Sequence, residues 1–204
     1  MSRPLRQSRD RPFILGLTGS VGMGKSTVAA MFEACGVPVF DADREVRRMQ
    51  GPDGALIDEI EAAFPGTTGA GGVDRAKLGE AVFEDREALD RLEAIVHPAV
   101  RAAREEFLRQ HGSAKLVAFD IPLLFEKGGV GEVDAVAVVS APPEVQRARV
   151  LARPGMTDAR FESILALQLP DAEKRARADF VIDTGVSLTE TRADVARLVE
   201  KLAG

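Results

Sequence analysis

Residues 13–32 read FILGLTGSVGMGKSTVAAMF, and the order of their three parts decides the fold. Phe13 to Thr18 is a short apolar run of strand formers, and it leads straight into a loop holding Gly19, Gly22 and Gly24. Ser26 to Ala34 then carries Val28, Met31 and Phe32 at the spacing of a helix face packed on a core. A strand, a Gly19-x4-Gly24-Lys25-Ser26 loop and a helix in that order make a phosphate cradle. Successive backbone N–H groups cup phosphate oxygens, and the helix N-terminus adds its partial positive charge. The glycines give angles and close approach that a Cβ would forbid. Lys25 reaches the β- and γ-phosphates of a nucleoside triphosphate, and the Ser26 hydroxyl ligates Mg²⁺. By chance the spacing would occur in about one chain in a hundred, before its strand–helix context is counted. The sequence therefore predicts a triphosphate bound by Gly22, Met23, Gly24, Lys25, Ser26 and Thr27, and phosphoryl transfer as the chemistry.

Working outward, four more apolar runs follow: Val37 to Phe40, Leu116 to Phe119, Ala135 to Val139 and Phe180 to Ile182. None alternates, so each reads as a strand buried on both faces. Helical patterns separate them, and an amphipathic helix from Leu188 to Leu202 closes the chain. The expected fold is α/β, a P-loop NTPase-type doubly wound parallel sheet of about five strands. Residues 12–204 read as a single domain after a basic, disordered tail over 1–11. Two stretches exceed one helix per crossover. Residues of about 44–112 read as a helical, substrate-binding insertion, with helices over Ala55 to Phe64, Asp85 to Val96 and Pro98 to Gln110. Pro98 suits a first helical position. Thr67 to Gly72, TTGAGG, reads as a flexible loop. Residues of about 143–178, dense in arginine, read as a helical lid.

Composition narrows the partners. A net charge of −5 argues against a nucleic-acid scaffold. No stretch reaches the 18 apolar residues of a membrane span, so no membrane partner is expected. A single Cys35 forms no internal disulfide, which fits a reducing cytoplasm. With 21 arginines against 6 lysines, a stray arginine says little and Lys25 says more. The expected assembly is a monomer or a small homo-oligomer.

The loop alone does not choose among a kinase, a GTPase switch and a motor ATPase. A GTPase reads guanine with an Asn-Lys-x-Asp motif, and this chain contains no Asn. Small size, the insertion and the arginine-rich segment favour a small-molecule kinase, with a nucleotide-gated regulatory ATPase as a different class. The second strand ends in Asp41-Ala42-Asp43, and ligands of such sheets lie at carboxyl ends of strands. A kinase uses a carboxylate to orient and deprotonate the acceptor hydroxyl. In an extended segment only one of the pair would point at the acceptor. The plain alternative is a turn in which Asp43 caps a helix starting at Arg44.

Several segments together resemble the dephospho-CoA kinase family. They are GSVGMGKST, Asp41-Ala42-Asp43, Gly72-Val73-Asp74-Arg75, Leu92-Glu93-Ala94-Ile95-Val96-His97-Pro98 and Asp120-Ile121-Pro122-Leu123-Leu124-Phe125-Glu126. Gln146, Arg149, Arg153, Gln168, Lys174-Arg175 and Ala178 to Ile182 extend the match. The resemblance implies ATP-dependent phosphorylation of the ribose 3'-hydroxyl of dephospho-CoA, with ATP and Mg²⁺. It implies Asp43 as the base, Lys25, Arg149 and Arg153 on the phosphates, and Asp41, His97, Pro122 and Leu123 beside the substrate. Asp120 is implied as a carboxylate near Mg²⁺, and Glu126 as an ion-pair partner or part of the substrate wall. A spacing of four puts Arg149 and Arg153 on one helix face. The nearest alternative enzyme is another nucleoside or nucleotide kinase. Three positions depart from the family pattern. Met23 replaces a small residue at what should be a solvated loop position. Thr184 stands where an Asn is usual, and Pro154 follows Arg153.

Overall fold

The apolar runs become strands and the amphipathic stretches wrap them. The computed structural model describes residues 11–83 and 85–204. Among these the chain runs β1 (Phe13–Thr18), α1 (Lys25–Ala34), β2 (Val39–Asp41), α2 (Ala42–Met49), α3 (Ile57–Ala63), β3 (Thr68–Gly69) and β4 (Gly72–Val73). It continues through α4 (Arg75–Val82), α5 (Arg86–Gln110), β5 (Leu116–Asp120), a 3₁₀ turn (Gly129–Glu132), β6 (Ala135–Ser140) and α6 (Pro143–Leu151). The last elements are α7 (Asp158–Ala166), α8 (Asp171–Arg177), β7 (Phe180–Asp183) and α9 (Leu188–Ala203).

Two compact units result: the described part of Met1–Phe40 together with His111–Gly204, and Asp41–Gln110. In the first, five strands order as β2-β5-β1-β6-β7, and the β5–β1, β1–β6 and β6–β7 pairings are parallel. Every residue of β5 and β6 is buried, as a sheet covered on both faces requires. The expected doubly wound α/β sheet is what forms. Val28, Met31 and Phe32 of α1 and Val195 and Leu198 of α9 bury against Leu15, Leu17, Ala137 and Val139. Each large apolar side chain so buried contributes about 1.5–3 kcal/mol. Ser187 and Glu190 close a reciprocal capping box at the start of α9.

Of the expected tail, residues 1–10 lie outside the described residues, but Arg11 is placed. Its guanidinium donates two bonds of 2.7 Å to Asp134, whose carboxylate also accepts the Ile14 N–H at 2.9 Å. That pair pins the start of β1 to the start of β6, and it raises the Arg11 pKa through the hydrogen bonds to Asp134.

The second unit has its own core of Met49, Leu56, Ile60, Phe64, Leu78 and Ala88. Two expectations fail there. Pro98 does not start a helix: α5 runs unbroken from Arg86 to Gln110 with Pro98 inside it. The missing N–H costs one backbone bond, yet Leu92, Ile95, Val96, Ala99 and Val100 carry one apolar stripe across the proline onto the core. The stripe overrides the break. The TTGAGG stretch is not simply a flexible loop, because β3 and β4 pair as a small antiparallel ladder. Glu61 holds it, accepting the N–H groups of Gly66 and Thr68 and the Thr68 hydroxyl at 2.7–3.1 Å. Those bonds, the Gly66 N–H first, draw the Glu61 carboxyl below the usual carboxylate range. Among the described residues no helix is long and apolar enough to cross a membrane.

Candidate active site

The cradle lies at the carboxyl end of β1. Gly24 takes the left-handed conformation (φ 87°) as N-cap of α1, no side chain caps the helix, and its first turn holds no acid. The Thr27 N–H reaches the Gly24 carbonyl at 3.1 Å, while the earlier N–H groups of that turn and the positive end of the helix dipole face the position of an anion. A Cβ on Gly22 (φ 79°) would strike the Val150 side chain, and one on Gly19 would come within 2.7 Å of the Val139 carbonyl oxygen. Close approach of backbone to α6 and β6 is thus the reason for glycine at these positions. Ser26 and Thr27 are exposed.

Lys25 is less solvated than a surface loop implies. Its ammonium pairs with Asp120 at the end of β5, with side-chain exposures of 17% and 6%. Asp120 is 5% exposed overall, and Lys25 is a cation paired with it. Pro122 and Leu123 follow in a half-buried turn, where the Thr18 hydroxyl donates to the Pro122 carbonyl at 3.2 Å.

Met23 overturns an expectation. It is 2% exposed and belongs to the main core, with its sulfur accepting the Ala141 N–H at 3.1 Å. The loop backbone faces the cradle while this side chain points into protein, so the larger residue fills core volume. Thr184, the other departure, is buried and central. Its hydroxyl proton goes to the Met23 carbonyl at 2.7 Å, the Ser140 carbonyl lying farther off at 3.3 Å. Its oxygens accept both arms of Arg149, at 3.1 Å on the hydroxyl and 2.6 Å on the carbonyl. A threonine thus ties the phosphate loop to an arginine.

Arg149 and Arg153 do not share a helix face. α6 ends at Leu151, and Arg153 sits in the following turn. Pro154 disfavours helical geometry in the residue before it, and Gly155 turns the chain at φ 72°. The structure brings Lys25, Asp120, Met23 and Arg149 into one connected region, and leaves Arg153 exposed beside it.

Three residues there carried no role in the sequence reading. Gln146 of α6 donates its amide to the Val21 carbonyl at 2.8 Å, and the Val21 N–H donates to the Gln168 Oε1 at 3.1 Å. Thr184 is the third. The signal for Gln146 was a polar residue four before Val150 on the buried stripe of α6. Next to Gln168, the Leu169 N–H donates to Glu126 at 2.9 Å, and the fully buried Lys174 lies 2.9 Å from the same carboxylate. Burial alone would push the Glu126 carboxyl up, but the Lys174 ammonium and the Leu169 N–H together hold it below its ordinary value. Glu126 is an ion-pair partner.

The acidic pair opens the second unit. Asp41, not Asp43, is the cap: its carboxylate accepts the Arg44 N–H at 2.9 Å, and α2 begins at Ala42. The segment is helical from Ala42 onward, so the pair does not alternate as in a strand. Asp43 lies exposed in the first turn with Glu45 nearby in sequence. His97 is exposed midway along α5. Among the described residues no group of three or more His, Cys, Asp or Glu could hold a metal alone.

Known proteins resemble this chain over nearly its full length. A sequence model described as dephospho-CoA kinase matches residues 13–190. A dephospho-CoA kinase from Novosphingobium aromaticivorans is 65% identical over 94% of this chain and 96% of its own. A crystal structure of a Thermus thermophilus protein superposes with a TM-score of 0.81 at 38% identity, covering 95% of this chain and all of the other. A dephospho-CoA kinase structure from Campylobacter jejuni shares the fold, with a TM-score of 0.65 at 24% identity over 93% and 96% of the two chains.

Proposed function

The chain belongs to the dephospho-CoA kinase family, and from that premise we propose how its residues divide the work of one phosphoryl transfer. The reaction moves the γ-phosphoryl group of ATP to the ribose 3'-hydroxyl of dephospho-CoA, giving coenzyme A and ADP, the last step of coenzyme A biosynthesis. The observation that carries the assignment is the open, acid-free N-terminus of α1 with Lys25 beside it, in a chain whose residues 13–190 match that family.

Backbone N–H groups over Gly22 to Thr27 hold the triphosphate, and Lys25 offsets charge on the β- and γ-phosphates. Asp43 accepts the proton of the 3'-hydroxyl as its oxygen attacks the γ-phosphorus and the bond to the β-phosphate oxygen breaks. Asp41 orders the start of α2 and so fixes the backbone that carries Asp43. Arg149, oriented by Thr184, and Arg153 offset charge on the transferring group. His97, Pro122 and Leu123 line the substrate, with residues of about 44–112 as the substrate insertion and about 143–178 as the lid.

Mg²⁺ fits the donors present. Mg²⁺ sites that use substrate phosphates need only one or two protein oxygens. The exposed Ser26 hydroxyl would ligate it, with Asp120 near by. When bound, the ion neutralises charge across the β- and γ-phosphates. The assay is direct: purified protein with ATP and dephospho-CoA, with nucleosides as parallel acceptors, analysed for coenzyme A and ADP. Coenzyme A from dephospho-CoA is expected. Product from nucleosides alone, or hydrolysis indifferent to any acceptor, would overturn the reading.

A further inference from the structure

The Val21–Gly22 peptide is held from outside the loop. Gln146, 6% exposed, donates to the Val21 carbonyl, and Gln168 accepts the Val21 N–H. The partners fix which end of each amide is which, because a carbonyl only accepts and an N–H only donates. In a planar trans peptide the C=O and the following N–H point in opposite directions. Drawing the Val21 oxygen onto α6 therefore aims the Gly22 N–H the other way. Gly22, at φ 79° and without a Cβ, does not by itself hold the preceding peptide in one orientation. A peptide turned over would offer a carbonyl oxygen where a phosphate needs a donor.

We propose that Gln146 and Gln168 are positioning residues for the ATP reaction: a two-amide clamp that keeps the Val21–Gly22 peptide turned with its N–H available to the triphosphate. The inference rests on the reading of Gly22 to Thr27 as the phosphate cradle. Gln146 is the directional half, since it alone opposes the flip by donating to the oxygen. Gln168 is the steadying half, holding the preceding peptide from the bend between α7 and α8.

A matched pair of variants isolates that direction. Gln146→Glu and Gln168→Glu each add one carboxylate against the same residue, so added charge is common to both. Only the first replaces a needed donor with an acceptor; the second keeps its acceptor. At saturating dephospho-CoA, Gln146→Glu should raise the KM for ATP about tenfold above that of Gln168→Glu, with the KM for dephospho-CoA equal in both. If Gln146→Glu does not fold, Gln146→Met and Gln168→Met form a neutral pair that keeps the buried volume, and they should show a split in the same direction. Equal KM values for ATP in the pair, or losses confined to kcat and folding, would overturn the clamp. Titration of the wild type with ATP and Mg²⁺ separates the two failures. Absence of binding there removes the cradle, whereas normal binding with no split between the variants removes the clamp alone.

Discussion

The N-termini of α1 and α2 follow the same kind of sheet strand, β1 and β2, and are finished in opposite ways. α1 begins at a left-handed glycine with no side-chain cap and no acid in its first turn, and carries Lys25 at its first position. α2 begins at Asp41, whose carboxylate caps it, and carries Asp43 and Glu45 in its first turn. Both ends present orphan N–H groups and partial positive charge. In α2 protein carboxylates neutralise that end, which leaves it repellent to phosphate, and the proposed base Asp43 is one of them. Among the described residues no side chain caps α1 and its first turn holds no acid. A helix end left uncapped in this way suits the external anion proposed for it. One fold thus uses a single physical feature twice, once saturated and once open.

The comparison breaks first, and by most, at Asp43. Asp43→Asn keeps size and polarity but removes the proton acceptor, so turnover should fall about 10²- to 10⁴-fold while the dissociation constant for ATP holds. Asp41→Asn is the internal control, because Asn caps a helix as well as Asp, and its loss should be at least tenfold smaller. A larger loss for Asp41→Asn would exchange the roles of the two carboxylates.

Lys25→Ala comes next, and its effect reaches the fold as well as the chemistry. A solvent-facing loop lysine would be lost from catalysis alone. Here it pairs with a buried Asp120, so the variant should lower turnover about 10²- to 10³-fold and also lower stability. Adding Asp120→Asn should recover the unfolding midpoint without recovering turnover. Recovery of both would mean that Lys25 serves the fold and not the phosphate.

Where the sequence was legible, a period or a spacing carried the message. Five apolar runs and one glycine loop give the sheet and the cradle, because strand and helix faces repeat at fixed intervals. The last run, expected to be buried on both faces, buries only Ile182 as an edge strand. What stayed hidden depends on contacts distant in the chain. Nothing local to Met23 shows that its side chain turns inward to meet Ala141, or that Thr184 takes its carbonyl. Gln146 and Gln168 lie more than a hundred residues from Val21, so their roles exist only after the sheet has closed. Pro98 as a helix start and Asp43 as a helix cap failed for a different reason: local rules named a boundary, and packing of an apolar stripe or a better-placed neighbour moved it.

Thr27→Asp makes α1 resemble α2. Thr27 is exposed in the first turn, so the new carboxylate should meet the helix dipole and raise stability by about 0.3–1 kcal/mol. The same charge would face the triphosphate and raise the KM for ATP by about 10- to 100-fold. Stability and affinity should therefore move in opposite directions in one variant. Movement of both the same way, measured by urea unfolding and by ATP titration, would show that the open end of α1 is not held open for an anion.

The smallest effect belongs to the saturated end. Asp41→Ala removes the one side-chain cap of α2 and should cost about 1 kcal/mol, while Asp41→Asn should cost a few tenths at most. Part of the loss is offset because Asp43 and Glu45 remain against the dipole, and that remainder is why the helix should persist. Its persistence matters for the chemistry. If α2 keeps its shape, turnover in Asp41→Ala should fall by less than in Asp43→Asn, since the backbone under Asp43 is loosened but the proton acceptor stays. An unfolding free energy unchanged in urea would show instead that the capping bond between Asp41 and the Arg44 N–H adds nothing. The contrast between the two helix ends would then rest on charge alone.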